Sequence, residues 1–149
     1  MELIVFIGIQ GSGKSTFYKE RFADTHVRIN LDMLNTRGKE EALFRACLMA
    51  KIPMAVDNTN PTAEERARYI VPAREAGFAV TGYYFQSKIE DCKGRNSKRS
   101  EKDAVPLRGL LGTYARLKRP ALTEGFARLW YVSTNPDGTF KTEEWSDEV

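Results

Sequence analysis

Glycine, lysine and serine recur at a fixed spacing near the start of the chain. Gly8-Ile9-Gln10-Gly11-Ser12-Gly13-Lys14-Ser15 fits the pattern G-x-x-x-x-G-K-[ST]. The pattern binds phosphate when a strand precedes it and a helix follows. Both flanks are present: Leu3-Ile4-Val5-Phe6-Ile7 is apolar and β-rich, and Thr16 to Phe22 reads as helix. Glycines leave out the Cβ that would stop N–H groups curling around a phosphate chain. The start of the helix aims a positive dipole end at the same place. Gly8, Gly11, Ser12, Gly13, Lys14, Ser15 and Thr16 are therefore expected to hold ATP or another NTP. Lys14 is expected to reach the β- and γ-phosphates, and the Ser15 hydroxyl to ligate Mg²⁺.

Two carboxylates extend this chemistry. Asp57 follows the apolar Met54-Ala55-Val56. That is the place of an aspartate that holds Mg²⁺, directly or through water. Asp-Asn-Thr-Asn is also good turn chemistry, so a capping role stays open for Asp57. Asp32 follows a short second strand. Phosphoryl transfer to a hydroxyl needs a group that orients it and accepts its proton. Spacing alone fits Asp32 equally to that task and to the N-cap of the next helix.

Strand and helix alternate along the chain, which predicts an α/β fold of the P-loop kinase type. Its parallel sheet has about five strands, with helices on both faces. The expected strands are the run before the glycine loop, Val27–Asn30, Met54–Val56, Phe78–Phe85 and Arg128–Val132. Helices are expected over Glu40–Lys51, from Asn60-Pro61 onward with Asn60 as cap, and from Pro106. In the last, Leu107, Leu110, Leu111, Tyr114 and Leu117 should face the core. Pro72 should kink or shorten the second. In open sheets of this kind, ligands lie beyond the carboxyl ends of the strands, where the glycine loop, Asp32 and Asp57 converge.

The 149 residues suit one domain, 1–149, with a basic lid segment at about 87–103 and a short acidic tail at about 137–149. Residues 93–119 hold nine Lys/Arg against Glu101 and Asp103, net +7, although the whole chain carries only +3. Such a local excess suits a polyanion partner, or a solvated helical face. Asn135-Pro136-Asp137-Gly138-Thr139 reads as a turn. No run approaches the length of a membrane span. Met1-Glu2 lacks the basic start of a secretion signal, so a cytoplasmic location is expected. Cys47 and Cys92 lie far apart and are expected to be reduced.

Two blocks, Asp57 to Pro61 and Arg95 to Arg99, are more discriminating than the glycine loop. Asp57-Asn58-Thr59-Asn60-Pro61 with Arg66-Ala67-Arg68-Tyr69, Arg95-Asn96-Ser97-Lys98-Arg99, and Glu124-Gly125-Phe126 resemble the kinase domain of the polynucleotide 5′-hydroxyl kinases. Ala104-Val105-Pro106 continues the match, which runs to about Val132. The resemblance implies Mg²⁺-dependent transfer of the ATP γ-phosphate to the 5′-OH end of DNA or RNA. It implies that Asp32, in Asn30-Leu31-Asp32, is the general base, and that Arg99 stabilises charge on the moving phosphoryl group. It places Arg95 beside the donor nucleotide and Asn58 near the acceptor. Phage-type enzymes carry an arginine three residues after the base, where this chain has Asn35, with Arg37 two positions on. Both are therefore acceptor candidates, and preference for a 3′-phosphorylated acceptor is not implied. Oligomeric state is left open.

Two other functions use the same residues. A kinase of a small-molecule hydroxyl (nucleoside, sugar or antibiotic) would need the loop and both aspartates equally. A non-catalytic adaptor would use the nucleotide only to dock a partner. The basic segment favours the polynucleotide, because a small neutral acceptor needs no such field.

Overall fold

The computed structural model describes residues 1–99 and 105–146. Residues 100–104, which include the end of the expected lid, and the end of the tail, 147–149, lie outside the described residues.

The elements follow the alternation in the sequence. Strand β1 is Glu2–Ile7, helix α1 Lys14–Arg21, β2 Val27–Ile29, α2 Leu31–Leu34, α3 Arg37–Ala50 and β3 Met54–Val56. Then come α4 Ala63–Glu75, β4 Ala79–Phe85, α5 Ile89–Ser97, α6 Leu107–Arg116, β5 Arg128–Thr134 and β6 Phe140–Glu144. The sheet order is β2-β3-β1-β4-β5-β6. The first five strands run parallel and β6 returns antiparallel along β5. The sheet is thus mixed and six-stranded, one strand more than the pattern predicts. The extra strand comes from the acidic tail. Its carboxylates do not stop it pairing, because Asn135–Thr139 closes a tight hairpin, with Gly138 in the left-handed region at φ 88°. Phe140 then packs on the aromatic cluster under the sheet.

β1 is the spine. Leu3, Val5 and Ile7 face a core completed by Phe44, Cys47, Tyr69, Ile70 and Ala73 of α3 and α4. Ile4 and Phe6 face Phe17 and Tyr18 of α1 on the other side. This alternation along one buried strand is the period-2 geometry of a sheet covered on both faces. From β1 the chain crosses to β2 on one side of the spine, and from β3 to β4 on the other. The loop after β1 therefore opens at the switch point of the sheet, where a crevice forms.

Two local expectations are corrected. The cap of α4 is Thr62, whose hydroxyl accepts from Glu65 N at 3.2 Å. Asn60 instead sits at φ 44°, and its amide donates to Phe6 O at 2.8 Å, pinning the loop after β3 to β1. Pro72 lies inside α4, which ends three residues later at Glu75, in keeping with a proline that shortens the helix. On α6 Leu110 alone of the five apolar positions is buried, with Leu117 half-buried. Leu107, Leu111 and Tyr114 are exposed, because α6 packs at the edge against α5 and Ile9 rather than over the sheet.

Candidate functional site

The glycine loop is built by contacts a side chain would break. Gly11 adopts φ 78°, and a Cβ there would lie 2.6 Å from Cys92 O of α5. Gly13 adopts φ 101° at the start of α1, and a Cβ there would meet the Phe140 ring at 2.9 Å. Both glycines are required by backbone conformation and by close neighbours. Gly8 N donates to Thr59 O at 3.1 Å, tying the loop to the segment after β3.

Lys14 is buried in this loop. Its ammonium donates to Gly8 O at 2.9 Å and Ile9 O at 2.8 Å, with Ser12 Oγ at 3.4 Å. Burial pushes it down from its ordinary 10.5 to about 8, against the opposing pull of the Asp57 carboxylate. Ser15 Oγ donates to Asp57 Oδ2 at 3.1 Å, and Asp57 is 2 % exposed. A hydroxyl and a carboxylate so placed are the hard oxygen donors that suit Mg²⁺, so these residues fit the metal that the loop implies.

Arg28, on β2, was not singled out from the sequence. Its Nε donates to Asp57 Oδ2 at 2.8 Å and its Nη2 to Ser15 Oγ at 2.9 Å. It thereby gives the buried Asp57 a counter-charge. A lone arginine in a three-residue strand carries no local signal of this. The contact exists only because β2 lies beside β3 in register, Arg28 opposite Ala55.

Asp32 lies in the first turn of α2, and its side chain has no hydrogen-bond partner among the described residues. The N-cap of α2 is Asn30, whose Oδ1 accepts from Met33 N at 2.9 Å. Asp32 is therefore not the cap, which resolves one of the two alternatives its spacing allowed. It is exposed on the wall of a cavity of about 510 Å³, and its charge acts on Lys14. Gly11, Gly13, Lys14, Ser15, Thr16, Asp57, Asn58, Arg37, Arg95 and Arg99 line the same cavity. Gly8 and Ser12 support the loop from behind. Asn35 is not part of the lining; it ends α2 at φ 74°, its N–H bonded to Leu31 O.

The basic segment supplies the opposite wall. Arg95 Nε donates to Gly11 O at 2.5 Å, so α5 rests on the glycine loop. Asn96 clasps the chain beyond it: Nδ2 donates to Val105 O at 2.7 Å and Oδ1 accepts from Val105 N at 2.9 Å. Arg99, just beyond α5, lines the same cavity. The remaining blocks hold structure: Arg66, fully buried, donates to both oxygens of Glu124 at 2.7 and 3.1 Å.

A bifunctional polynucleotide phosphatase/kinase of Schizosaccharomyces pombe is 28 % identical over 132 residues, covering 86 % of this chain and 32 % of that protein. The chain thus spans about a third of the length of that relative. Kti12 of Chaetomium thermophilum, solved in complex with ADP-AlF3, superposes with a TM-score of 0.67 at 19 % identity, over 88 % of both chains. A sugar kinase of Janibacter sp. HTCC2649 superposes with a TM-score of 0.66 at 19 % identity, over 89 % of this chain and 85 % of the other. These two likenesses establish the fold, an α/β fold of the P-loop kinase type. The AAA domain family matches residues 33–120, more than half of the chain, and this chain belongs to that family.

Proposed function

We propose that this chain transfers the γ-phosphate of ATP to the 5′-hydroxyl end of a DNA or RNA strand, with Mg²⁺. One observation carries the reading: Asp32 stands exposed and without a described partner on the wall of the cavity that Lys14 enters from the glycine loop. Its exposure on the cavity wall leaves it open to a hydroxyl brought in from solvent, which supports the reading. The likeness to the polynucleotide phosphatase/kinase of S. pombe supports the class of acceptor.

The 5′-hydroxyl oxygen attacks the γ-phosphorus in line, the bond from that phosphorus to the β,γ-bridging oxygen breaks, and ADP leaves. Asp32 orients the hydroxyl and takes its proton. Lys14 and Arg99 stabilise charge on the phosphoryl oxygens from opposite walls. Arg95 holds the donor against the loop, and Arg37, with Asn58, is on the acceptor side. Ser15 and Asp57 would hold Mg²⁺, which supplies charge neutralisation on the β- and γ-phosphates when bound.

The test is transfer of labelled γ-phosphate to 5′-OH oligonucleotides beside free nucleosides and sugars. Labelled oligonucleotide ends support the reading. Label on a small hydroxyl compound alone makes the chain a small-molecule kinase. ATP binding without transfer makes it an adaptor.

A further inference from the structure

The turn that carries Asp32 is held from outside itself. Leu31 N, one residue before Asp32, donates to Asn58 Oδ1 at 2.9 Å. The other end of that amide, Asn58 Nδ2, donates to Glu40 Oε2 at 2.8 Å. Glu40 is on α3, 2 % exposed, and has no place in the reaction described above. Its second oxygen accepts from Tyr69 OH at 2.5 Å and from Arg37 Nη1 at 3.0 Å. Burial and the hydrogen bond to Glu40 push the Tyr69 phenol up to about 12, so it keeps its proton and donates. A buried glutamate is costly unless donors satisfy it. Here three donors converge, and one of them belongs to the amide that touches the Asp32 turn.

We propose that Glu40 is a positioning residue for Asp32: it fixes which way the Asn58 amide faces, and thereby holds the turn. A carboxylate only accepts, so the NH₂ of Asn58 must face it. The carbonyl of Asn58 is then turned to Leu31 N. Any residue at position 40 that donates toward Asn58 drives the amide to flip, leaving NH₂ against N–H at Leu31. Arg37 joins the same network, so the acceptor-side cation and the base are set by one carboxylate. The proposal rests on the kinase reading for its catalytic consequence, but not for the geometry.

The test separates the two. Amide exchange at Leu31 is followed by NMR in the full chain, with β1 amides as the reference for global opening. Glu40→Gln keeps shape but adds a donor. Leu31 exchange should quicken by about tenfold or more relative to β1. Adding Asn58→Asp to Glu40→Gln restores an acceptor toward both neighbours, and slow exchange at Leu31 should return. If Glu40→Gln alone does not fold, the double variant decides: recovered fold and Leu31 protection support the proposal, and their absence overturns it. Unchanged Leu31 exchange in folded Glu40→Gln overturns it as well. In kinetics, Glu40→Gln should lose kcat toward a 5′-OH oligonucleotide while KM for ATP holds; unchanged kcat with freed Leu31 removes the link to Asp32. A wild-type chain that phosphorylates no oligonucleotide end refutes the kinase reading, while the exchange data still decide how the turn is held.

Discussion

Lys14 is the residue whose environment gives the sharpest solution signature. Its ammonium is pushed down to about 8 by burial, and a bound polyphosphate favours the charged form. Below about pH 8 Lys14 is charged with or without ATP, so it adds no pH dependence to the affinity. Above that, the free protein must take up a proton to bind. ATP affinity then falls by up to about tenfold per pH unit until the bound form itself titrates. Calorimetry across this range should show proton uptake on binding; a flat Kd and no uptake would remove Lys14 from the phosphates. Arg99 is argued to act on the transferring group, so Arg99→Ala should lower kcat by about 10³-fold with little change in ATP Kd. Equal losses in both would reduce it to a binding group. Arg28 makes a prediction about the metal. Arg28→Ala leaves the buried Asp57 without its described cation, at a cost of about 2–3 kcal/mol in stability. Mg²⁺ in excess should therefore raise the Tm of Arg28→Ala more than that of the wild type. Equal shifts would mean that Ser15 and Asp57 do not hold the ion.

At the scale of elements, local signals were legible where they were self-contained. The glycine loop, the strand before Asp57 and the strand–helix alternation are written in neighbouring residues, and each stands in the structure where its pattern put it. What was not legible depends on pairing across the chain. The face of α6 follows helical periodicity, yet three of its five apolar residues are exposed. Periodicity tells which residues share a face, not whether anything lies opposite it. Asn60 has cap chemistry, but its amide goes to β1, and Thr62 takes the cap. The acidic end became β6 because β5 offered an edge and Phe140 a half-buried ring, and negative charge on the exposed side of an edge strand is tolerated. β6 therefore bears on the site: the Phe140 ring backs Gly13 and packs edge-on against Phe17 at 5.2 Å. Phe140→Ala should cost about 2 kcal/mol of stability and weaken ATP binding together. Loss of stability with unaltered ATP Kd would separate β6 from the loop.

For the whole molecule, the topology accounts for the site. The glycine loop opens at the switch point, the β2–α2 and β3–α4 connections form one wall, and α5 forms the other. Roles for Asp32 and Arg99 came from resemblance rather than spacing, since nothing local tells a base from a surface carboxylate. Glu40 and Arg28 were missed because their partners are remote in sequence. The basic excess over residues 93–119 belongs to the same scale. If it meets a strand, affinity for a 5′-OH oligonucleotide should fall steeply with salt, and ATP affinity much less. Parallel salt dependence would argue for a small acceptor. The central claim is tested most directly by Asp32→Asn, assayed for transfer of labelled γ-phosphate to a 5′-OH oligonucleotide with ATP Kd measured on the same protein. The proposed base predicts a loss of about 10²–10⁴-fold in kcat with ATP binding intact. Transfer at the wild-type rate would contradict it.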